Sequence, residues 1–303
     1  FESFGNSRFI SIGGWINATI PILIVPYYSV IGGWVIKYLI EYFAGHSKTL
    51  AGDAYFTTFI SNGWSTEICF IIFTLFTLGI IYAGVRNGIE RVSKFMMPIL
   101  IVLSLIIAVY SVTRPGAIEG VKYFLVPNFD HFSWMTVVSA MGQMFYSLSI
   151  AMGILITFGS YMKKDTSIEK STENVEIFDT AIAIMAGLMI IPAVFAFSGG
   201  NAETLKSGPA LMFITIPKVF ANMGFGTAIG VVFFLLVLFA AVTSSIALTE
   251  SAVSTLNYTG AVKNQLCSWE WLCYCLERFP ALGMDLLRIL RFLECNFLIS
   301  SIS

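Results

Sequence analysis

The chain has 303 residues, of which 57% are hydrophobic and only 12% are charged, and its mean hydropathy is +0.82. Soluble domains carry about a quarter of their residues as charges, so the composition excludes an ordinary water-soluble enzyme. The net charge of −1 leaves no basic excess for binding nucleic acid, and we expect no nucleic-acid partner.

Six apolar segments are long enough to cross a bilayer as helices, which takes about 20 residues each. The first contains one charged residue, Lys37, and the others contain none. In chain order the segments are Trp15–Ile40, Ile68–Val85, Phe95–Thr113, Trp134–Phe158, Thr180–Ser198 and Thr227–Thr249. Because lipid offers the backbone no hydrogen-bonding partner, this pattern predicts an all-α polytopic membrane protein with about six transmembrane helices.

The loops between these segments carry an uneven distribution of basic residues. With residues 1–14 on the cytoplasmic side, the inner loops hold seven Lys or Arg residues and the outer loops hold five. Cytoplasmic loops are usually the more basic ones, so the distribution favours this orientation.

The first segment contains a tyrosine at mid-depth. Ile24 and Tyr28 lie one helical turn apart on one face, and Pro21 and Pro26 are expected to bend the helix. A tyrosine hydroxyl at that depth requires a hydrogen-bonding partner. Near the end of the segment, Lys37 is spaced four residues from Glu41, which predicts an ion pair.

The fourth segment contains two serines that one continuous helix cannot aim at one site. Ser147 and Ser149 are two residues apart and would point about 200° away from each other. A shared site therefore requires the helix to be broken near Ser147–Met152, as in transporters that bind ions and substrate at a broken helix. The alternative is that both hydroxyls bond to carbonyls of their own helix; composition leaves the two open.

Polar groups in the last two segments also have two interpretations each. Asp179 is either the last member of a solvated acidic stretch or a ligand for a cation inside the membrane. Ala240, Ser244 and Leu248 form one stripe beside Thr243. Such a stripe serves close helix packing, or its oxygen atoms bind an alkali ion.

Enzymatic motifs do not occur in the sequence. It contains no HExxH, GxSxG, P-loop or GxGxxG pattern, and no nucleophile with a recognisable base. We expect no catalytic activity and no cofactor.

Four motifs together resemble one family of transporters. They are GQMFYSLSIAMG (residues 142–153), FAAVTSSIALTESAVSTL (239–256), GIERVSKFMMP (88–98) and PYYSVIGGW (26–34). They resemble the bacterial branch of the sodium:neurotransmitter symporter family, the LeuT-fold sodium-dependent amino-acid transporters, over about residues 8–256. The resemblance implies a partial LeuT-type inverted repeat that contains the equivalents of helices 3 to 8.

The resemblance also implies a set of site residues. Tyr28 corresponds to the tyrosine that holds the substrate carboxylate, Tyr146 to an aromatic lid, and Met152 replaces an aromatic wall found in some members. The implied substrate site comprises Ile24, Tyr28, Tyr146, Ser147, Ser149, Met152 and Leu248. The implied sodium ligands are Ser147 and Asp179 at the first site, and Ala240, Thr243 and Ser244 at the second. Many members have asparagine where this chain has Asp179.

The function implied by the resemblance is sodium-coupled symport of an amino acid across the plasma membrane, by alternating access, in a full-length bacterial protein. Its partners are the amino acid, sodium as the coupling ion and the lipid bilayer; nothing in the sequence indicates an oligomeric state. The alternative is a non-transporting fragment or remnant of such a symporter.

Two expectations concern the ends of the chain. It begins with Phe1 rather than methionine, so we expect it to be part of a longer protein. Residues 1–256 form the partial symporter domain, and residues 257–303 form a divergent tail with four of the five cysteines. The tail is either amphipathic and membrane-bound or the product of a shifted reading frame.

Overall fold

A computed structural model describes residues 8–52, 54–127, 129, 132–150, 152–198 and 208–258. In these ranges the chain is helical and contains no strand. The α-helices are α1 (Arg8–Phe43), α2 (Ser47–Leu50), α3 (Tyr55–Ser61), α4 (Gly63–Tyr82), α5 (Arg91–Val112), α6 (Ala117–Leu125), α7 (Trp134–Ser147), α8 (Ile154–Ser160), α9 (Ile168–Ser198), α10 (Ile216–Ala221) and α11 (Gly226–Tyr258). π-Helical turns at Val85–Glu90 and Leu211–Thr215 lead into α5 and α10.

Five continuous helical segments in the described part are long and apolar enough to cross a membrane. They are Ile12–Phe43, Gly63–Tyr82, Gly88–Val112, Ile168–Ser198 and Gly226–Thr255. The remaining predicted segment, the fourth (Trp134–Phe158), is divided between α7 and α8. The all-α polytopic fold with one broken helix is thus confirmed. The helices extend beyond the predicted apolar segments, because charged residues next to those segments continue the helical backbone hydrogen bonds.

The chain divides into two compact units. The first unit comprises Phe1–Ser29, Asp130–Glu176 and Ser244–Ser303, and the second comprises Val30–Phe129 and Ile177–Thr243. Helices α1, α9 and α11 contribute residues to both units.

The second unit has an aromatic core. Trp34 of α1 packs edge-on against Phe56 and Phe213, with ring centroids 5.2 and 5.7 Å apart. Tyr38 stacks on Phe234 and donates a 2.8 Å hydrogen bond to the Phe213 carbonyl, which lies in the second π-helical turn. Such ring pairs prefer edge-on or offset contacts, and this geometry holds α1, α3, the second π-helical turn and α11 together within the unit.

Two glycines of α1 set its distance from α4 inside the second unit. A Cβ atom on Gly33 would lie 2.8 Å from the backbone nitrogen of Phe70, and one on Gly32 would lie 2.4 Å from the Phe73 ring. A backbone atom cannot move aside as a side chain can. Gly33 therefore allows a backbone-to-backbone contact that any larger residue would prevent.

The break between α7 and α8 lies in the first unit. The amide of Ser149 donates to the Tyr146 carbonyl, and the amide of Ile150 donates to the Phe145 carbonyl. Ser149 itself has a φ of 54°. This is the Schellman pattern that ends a helix at a left-handed residue. Gly153, with a φ of 69°, precedes the first residue of α8.

Residues 257 and 258 of the predicted tail complete α11, and the rest of the segment 257–303 lies outside the described residues.

Candidate functional site

Four of the predicted substrate residues meet in the first unit. Met152 and Leu248 are 8% and 5% exposed and form a small apolar cluster with Val25. Ile24 and Tyr28 pack against this cluster. The three elements involved are α1, the segment between α7 and α8, and α11. Side chains up to 224 residues apart in sequence thus line one apolar surface.

Tyr28 has the hydrogen-bonding partner that its depth requires. Its side chain is hydrogen-bonded to Ser244, and it lies close enough to Tyr146 for the two to interact electrostatically. The resemblance assigns Tyr28 to substrate and Ser244 to sodium. The two residues are in direct contact within the first unit.

The other substrate residues lie at the end of α7. Tyr146 is 56% exposed, Ser147 is exposed, and Ser149 is half-buried in the break. Ser149 lies in the Schellman turn, so it no longer follows the direction of the α7 helix. The separation of about 200° that a continuous helix would impose on Ser147 and Ser149 therefore does not apply to this backbone.

The residues predicted for the second sodium site occupy one turn of α11. The Thr243 hydroxyl contacts the Ala240 carbonyl at 3.0 Å and the Phe239 carbonyl at 3.1 Å. Ser244 follows directly and contacts Tyr28. A threonine hydroxyl that donates to a carbonyl keeps its lone pairs. The hydroxyl oxygen of Thr243 can therefore bind a cation while its proton is donated to a backbone carbonyl.

Asp179 lies within α9 rather than at its end. The helix begins at Ile168, about three turns earlier, and the acidic residues of the preceding stretch belong to the same helix. Asp179 is half-buried. Asp179 belongs to the second unit and Ser147 to the first.

A polar group that the sequence did not reveal connects α8 and α11 in the first unit. The hydroxyl of Tyr161 contacts Oε1 of Glu250 at 2.7 Å, and Glu250 is 8% exposed. Burial raises the pKa of the Tyr161 phenol, and its hydrogen bond to Glu250 raises the pKa further. The two residues are 89 positions apart, so no local spacing in the sequence indicates that they are in contact.

The second unit contains a charged group near the end of α1. Lys37 and Glu41 form the predicted ion pair at 2.8 Å, and His46 Nδ1 lies 2.7 Å from the same carboxylate group. Burial raises the pKa of the nearby Tyr55 phenol, and the negative charge of Glu41 adds to that effect.

The fold and the apolar cluster around Met152 place the chain in the class of multi-pass membrane proteins. Within that class, it has one broken helix, and the segment at the break packs on an apolar surface with a few polar groups beside it. The sequence model of the sodium:neurotransmitter symporter family matches residues 61–279. The chain belongs to that family.

Relatives and a solved structure agree with this assignment. The chain is 35% identical over 259 residues to the sodium-dependent transporter YhdH of Bacillus subtilis (strain 168), covering 84% of this chain and 56% of the relative. A sodium-dependent transporter of Haemophilus influenzae is 32% identical over 83% of this chain and 56% of its own length. The sodium- and chloride-dependent taurine transporter of Rattus norvegicus is 26% identical over 64% of this chain and 32% of its own length.

The fold is similar to the crystal structure of MhsT in complex with L-phenylalanine. The TM-score is 0.77 at 32% sequence identity, covering 93% of this chain and 63% of the MhsT chain. MhsT has the LeuT fold, so the predicted partial LeuT-type architecture is confirmed. The chain spans about half the length of the curated bacterial relatives it matches.

Proposed function

We propose that the full-length protein containing this chain couples the movement of sodium to the uptake of an amino acid across the bacterial plasma membrane. The observation that carries the proposal is the meeting of Ile24, Tyr28, Met152 and Leu248 around one apolar surface. Together they supply an apolar wall and one phenolic hydroxyl, which suits a ligand with an apolar side chain and a charged end.

The proposed substrate is an amino acid with a large apolar side chain. Its carboxylate binds the hydroxyl of Tyr28, and its side chain packs on Met152 and Leu248. Met152 is unbranched and polarizable, which leaves room for an aromatic or branched side chain. The related structure of MhsT contains L-phenylalanine, which supports this size class. Tyr146 covers the substrate, and Ser147 and Ser149 contact its polar end.

Two sodium ions are proposed to bind beside the substrate. Ser147 and Asp179 hold the first ion, and the Ala240 carbonyl with the Thr243 and Ser244 hydroxyls holds the second. These are hard oxygen ligands of the kind alkali ions prefer. A carboxylate at position 179 supplies a full negative charge, which strengthens cation binding and removes the need for chloride.

Coupling follows from the shared electrostatics of the two ligands. A sodium ion at Ser147 lowers the electrostatic cost of binding the substrate carboxylate, and the carboxylate does the same for the ion. The effect is reciprocal by thermodynamic linkage. Alternating access then carries both across the membrane as one group of helices moves against the other.

A second proposal applies to the 303-residue chain by itself: it enters the membrane but does not transport. The observation in its favour is that the chain spans 56% of the length of the B. subtilis relative. Sodium-dependent binding of radiolabelled amino acid by the purified 303-residue chain would contradict this second proposal; the first proposal, which concerns the full-length protein, does not depend on that result.

The proposed coupling is tested by Asp179→Ala in the full-length protein, with Asp165→Ala as the matched control. Asp165 is an exposed carboxylate in the loop before α9. We expect Asp179→Ala to abolish the sodium dependence of uptake while membrane insertion, followed by surface labelling, is retained. Asp165→Ala should leave both unchanged. Uptake by the Asp179→Ala variant that still depends on sodium as in the unsubstituted protein would refute the assignment of Asp179.

A further inference from the structure

A cavity opens in the second unit at the ends of three helices. Its volume is about 460 Å³, within the range of about 300–1,000 Å³ that is typical of small-molecule sites. The wall consists of the turn after α5, the last residues of α9, and α10 with the turn that follows it. All of these residues belong to the second unit, and none of them takes part in the substrate and sodium sites proposed above.

Arg114 is the one charged residue among the described residues of this wall. Its guanidinium carbon lies 4.2 Å from the centroid of the Tyr110 ring, and this cation–π contact holds the side chain in place. Tyr110 is itself fixed, because its hydroxyl donates a hydrogen bond to the carbonyl of Gly224, which is also part of the wall. The cavity therefore has a positive charge at a defined position.

The charge of Arg114 has no anionic partner in the part of the chain that the structure describes. The ion pairs there involve Glu41 and Glu90, and the Nε atom of Arg114 is buried without a hydrogen-bonding partner. A guanidinium that lies over a ring keeps its N–H groups available in its own plane, where they suit the oxygens of a phosphate or carboxylate. A half-buried charge without a counter-charge is costly, so this wall favours an anion.

The rest of the wall is mostly apolar. Its apolar side chains are those of Pro115, Ala196, Phe197, Val219 and Met223. Phe197 is 42% exposed, so it presents apolar surface to a ligand. The amide of Asn222 already donates to the Lys218 carbonyl at 2.8 Å. One fixed positive charge beside apolar side chains suits an amphiphilic anion better than a small inorganic one.

The position of the cavity along the helices is that of lipid headgroups. The membrane-spanning segment that includes α5 ends at Val112, two residues before Arg114, and the segment formed by α9 ends at Ser198. Spans of this length end where the hydrocarbon core gives way to the headgroup region. Basic pockets between helices at that level bind the anionic groups of lipids.

We propose that the cavity beside Arg114 binds one phospholipid, whose phosphate group accepts hydrogen bonds from the guanidinium and whose first acyl carbons pack on Phe197 and Met223. The chemistry recognised is a phosphate ester joined to an apolar chain. The lipid is its source, and a soluble organic phosphate is the alternative that the first experiment excludes. The site does not depend on the proposed transport of sodium and amino acid.

Short-chain ligands test this chemistry in the unsubstituted full-length protein. Native mass spectrometry in a non-ionic detergent counts the bound molecules of dihexanoylphosphatidylglycerol, of dihexanoylglycerol, which lacks the phosphate, and of glycerol 3-phosphate, which lacks the chains. We expect saturable binding of one phosphatidylglycerol, with a Kd at least about tenfold lower than for the other two, equivalent to about 1.4 kcal/mol. Equal binding of the uncharged lipid, or of glycerol 3-phosphate, would overturn the proposal.

A pair of charge-removing variants tests the role of Arg114. Arg114→Gln removes the guanidinium, and Lys122→Gln is the matched control, because Lys122 is an exposed cation of α6 in the same unit but outside the cavity wall. We expect the Kd for dihexanoylphosphatidylglycerol to rise at least about tenfold in Arg114→Gln and less than about threefold in Lys122→Gln. An Arg114→Gln protein that folds and binds this lipid as tightly as the control would refute the site.

A photoreactive lipid locates the site without relying on the folding of a variant. Phosphatidylglycerol with a diazirine at the start of one acyl chain is added to the unsubstituted full-length protein, and the labelled peptides are identified after illumination. We expect the strongest labelling at residues 196–197 and 219–224, and its reduction by excess dihexanoylphosphatidylglycerol. Labelling spread evenly over the membrane-spanning helices, or unaffected by the competitor, would contradict the proposal.

Discussion

Tyr161 and Glu250 form a 2.7 Å hydrogen bond between the residue that follows α8 and the buried part of α11. The phenol donates and the carboxylate accepts. Both residues lie in the first unit. The bond therefore ties the second half of the broken helix to the helix that carries Ser244 and Leu248.

Removing this hydrogen bond should destabilise the protein measurably. Tyr161→Phe keeps the ring but leaves the carboxylate of Glu250 without its donor. Hydrogen bonds to charged groups contribute about 1.5–3 kcal/mol. Because Tyr161 is 42% exposed, we expect the lower end of that range, seen as a lower midpoint of thermal unfolding in detergent. The control is Tyr123→Phe, in which an exposed ring keeps its contact with Phe195; an equal loss in both variants would contradict the prediction.

The ionisation of Tyr161 and Tyr55 should occur late in an alkaline titration. Burial raises the pKa of both phenols, so the folded protein holds their protons more tightly than the unfolded chain does. Their contribution to stability is then complete below the ordinary tyrosine pKa of about 10 and is lost as the pH rises through the higher folded-state pKa. The difference in absorbance at 295 nm between the unsubstituted protein and each Phe variant should show a step above pH 10. A step centred at or below that pH would count against the assignment.

The Lys37–Glu41 pair could be predicted from its spacing. The break in the fourth segment was one of two alternatives that the residues left open, and the Schellman turn at Ser149 shows which of them the backbone adopts. Patterns that repeat within one or two turns are visible in the sequence.

Contacts between distant helices could not be predicted from the residues alone. The Tyr161–Glu250 bond and the approach of Ser251 to Gly153 depend on how three helices pack. Before the fold is known, a serine or asparagine in such a helix is indistinguishable from one that bonds to its own backbone. The resemblance to a family supplied the substrate residues, but it assigned no role to Tyr161 or Glu250.

The close approach of α1 and α4 gives a packing prediction. Gly33→Ala places a methyl group 2.8 Å from the Phe70 backbone nitrogen, and relieving that overlap requires the helices to separate. Overpacking of this kind costs about 1–3 kcal/mol. Gly79→Ala in α4 has nothing within 4 Å and should be neutral or stabilising by up to about 1 kcal/mol. Thermal unfolding of both variants tests the prediction, and a Gly33→Ala protein as stable as Gly79→Ala would contradict it.

The role of Tyr28 in binding the carboxylate gives a prediction about affinity. Tyr28→Phe retains the ring that packs on the Met152 cluster and removes the hydroxyl. Loss of a hydrogen bond to a charged group corresponds to roughly a 10- to 100-fold increase in the Kd for the amino acid. The neighbouring Tyr27→Phe, about 100° around the helix, should change the Kd less than about threefold. Equal effects in the two variants would show that the hydroxyl of Tyr28 has no special role.

Sodium-driven uptake by the full-length protein tests the central claim most directly. Proteoliposomes are loaded with potassium and placed in sodium or potassium medium of equal ionic strength, and uptake of a radiolabelled large apolar amino acid is followed. The account predicts concentrative uptake in sodium and none above background in potassium. Equal uptake in the two media would contradict it.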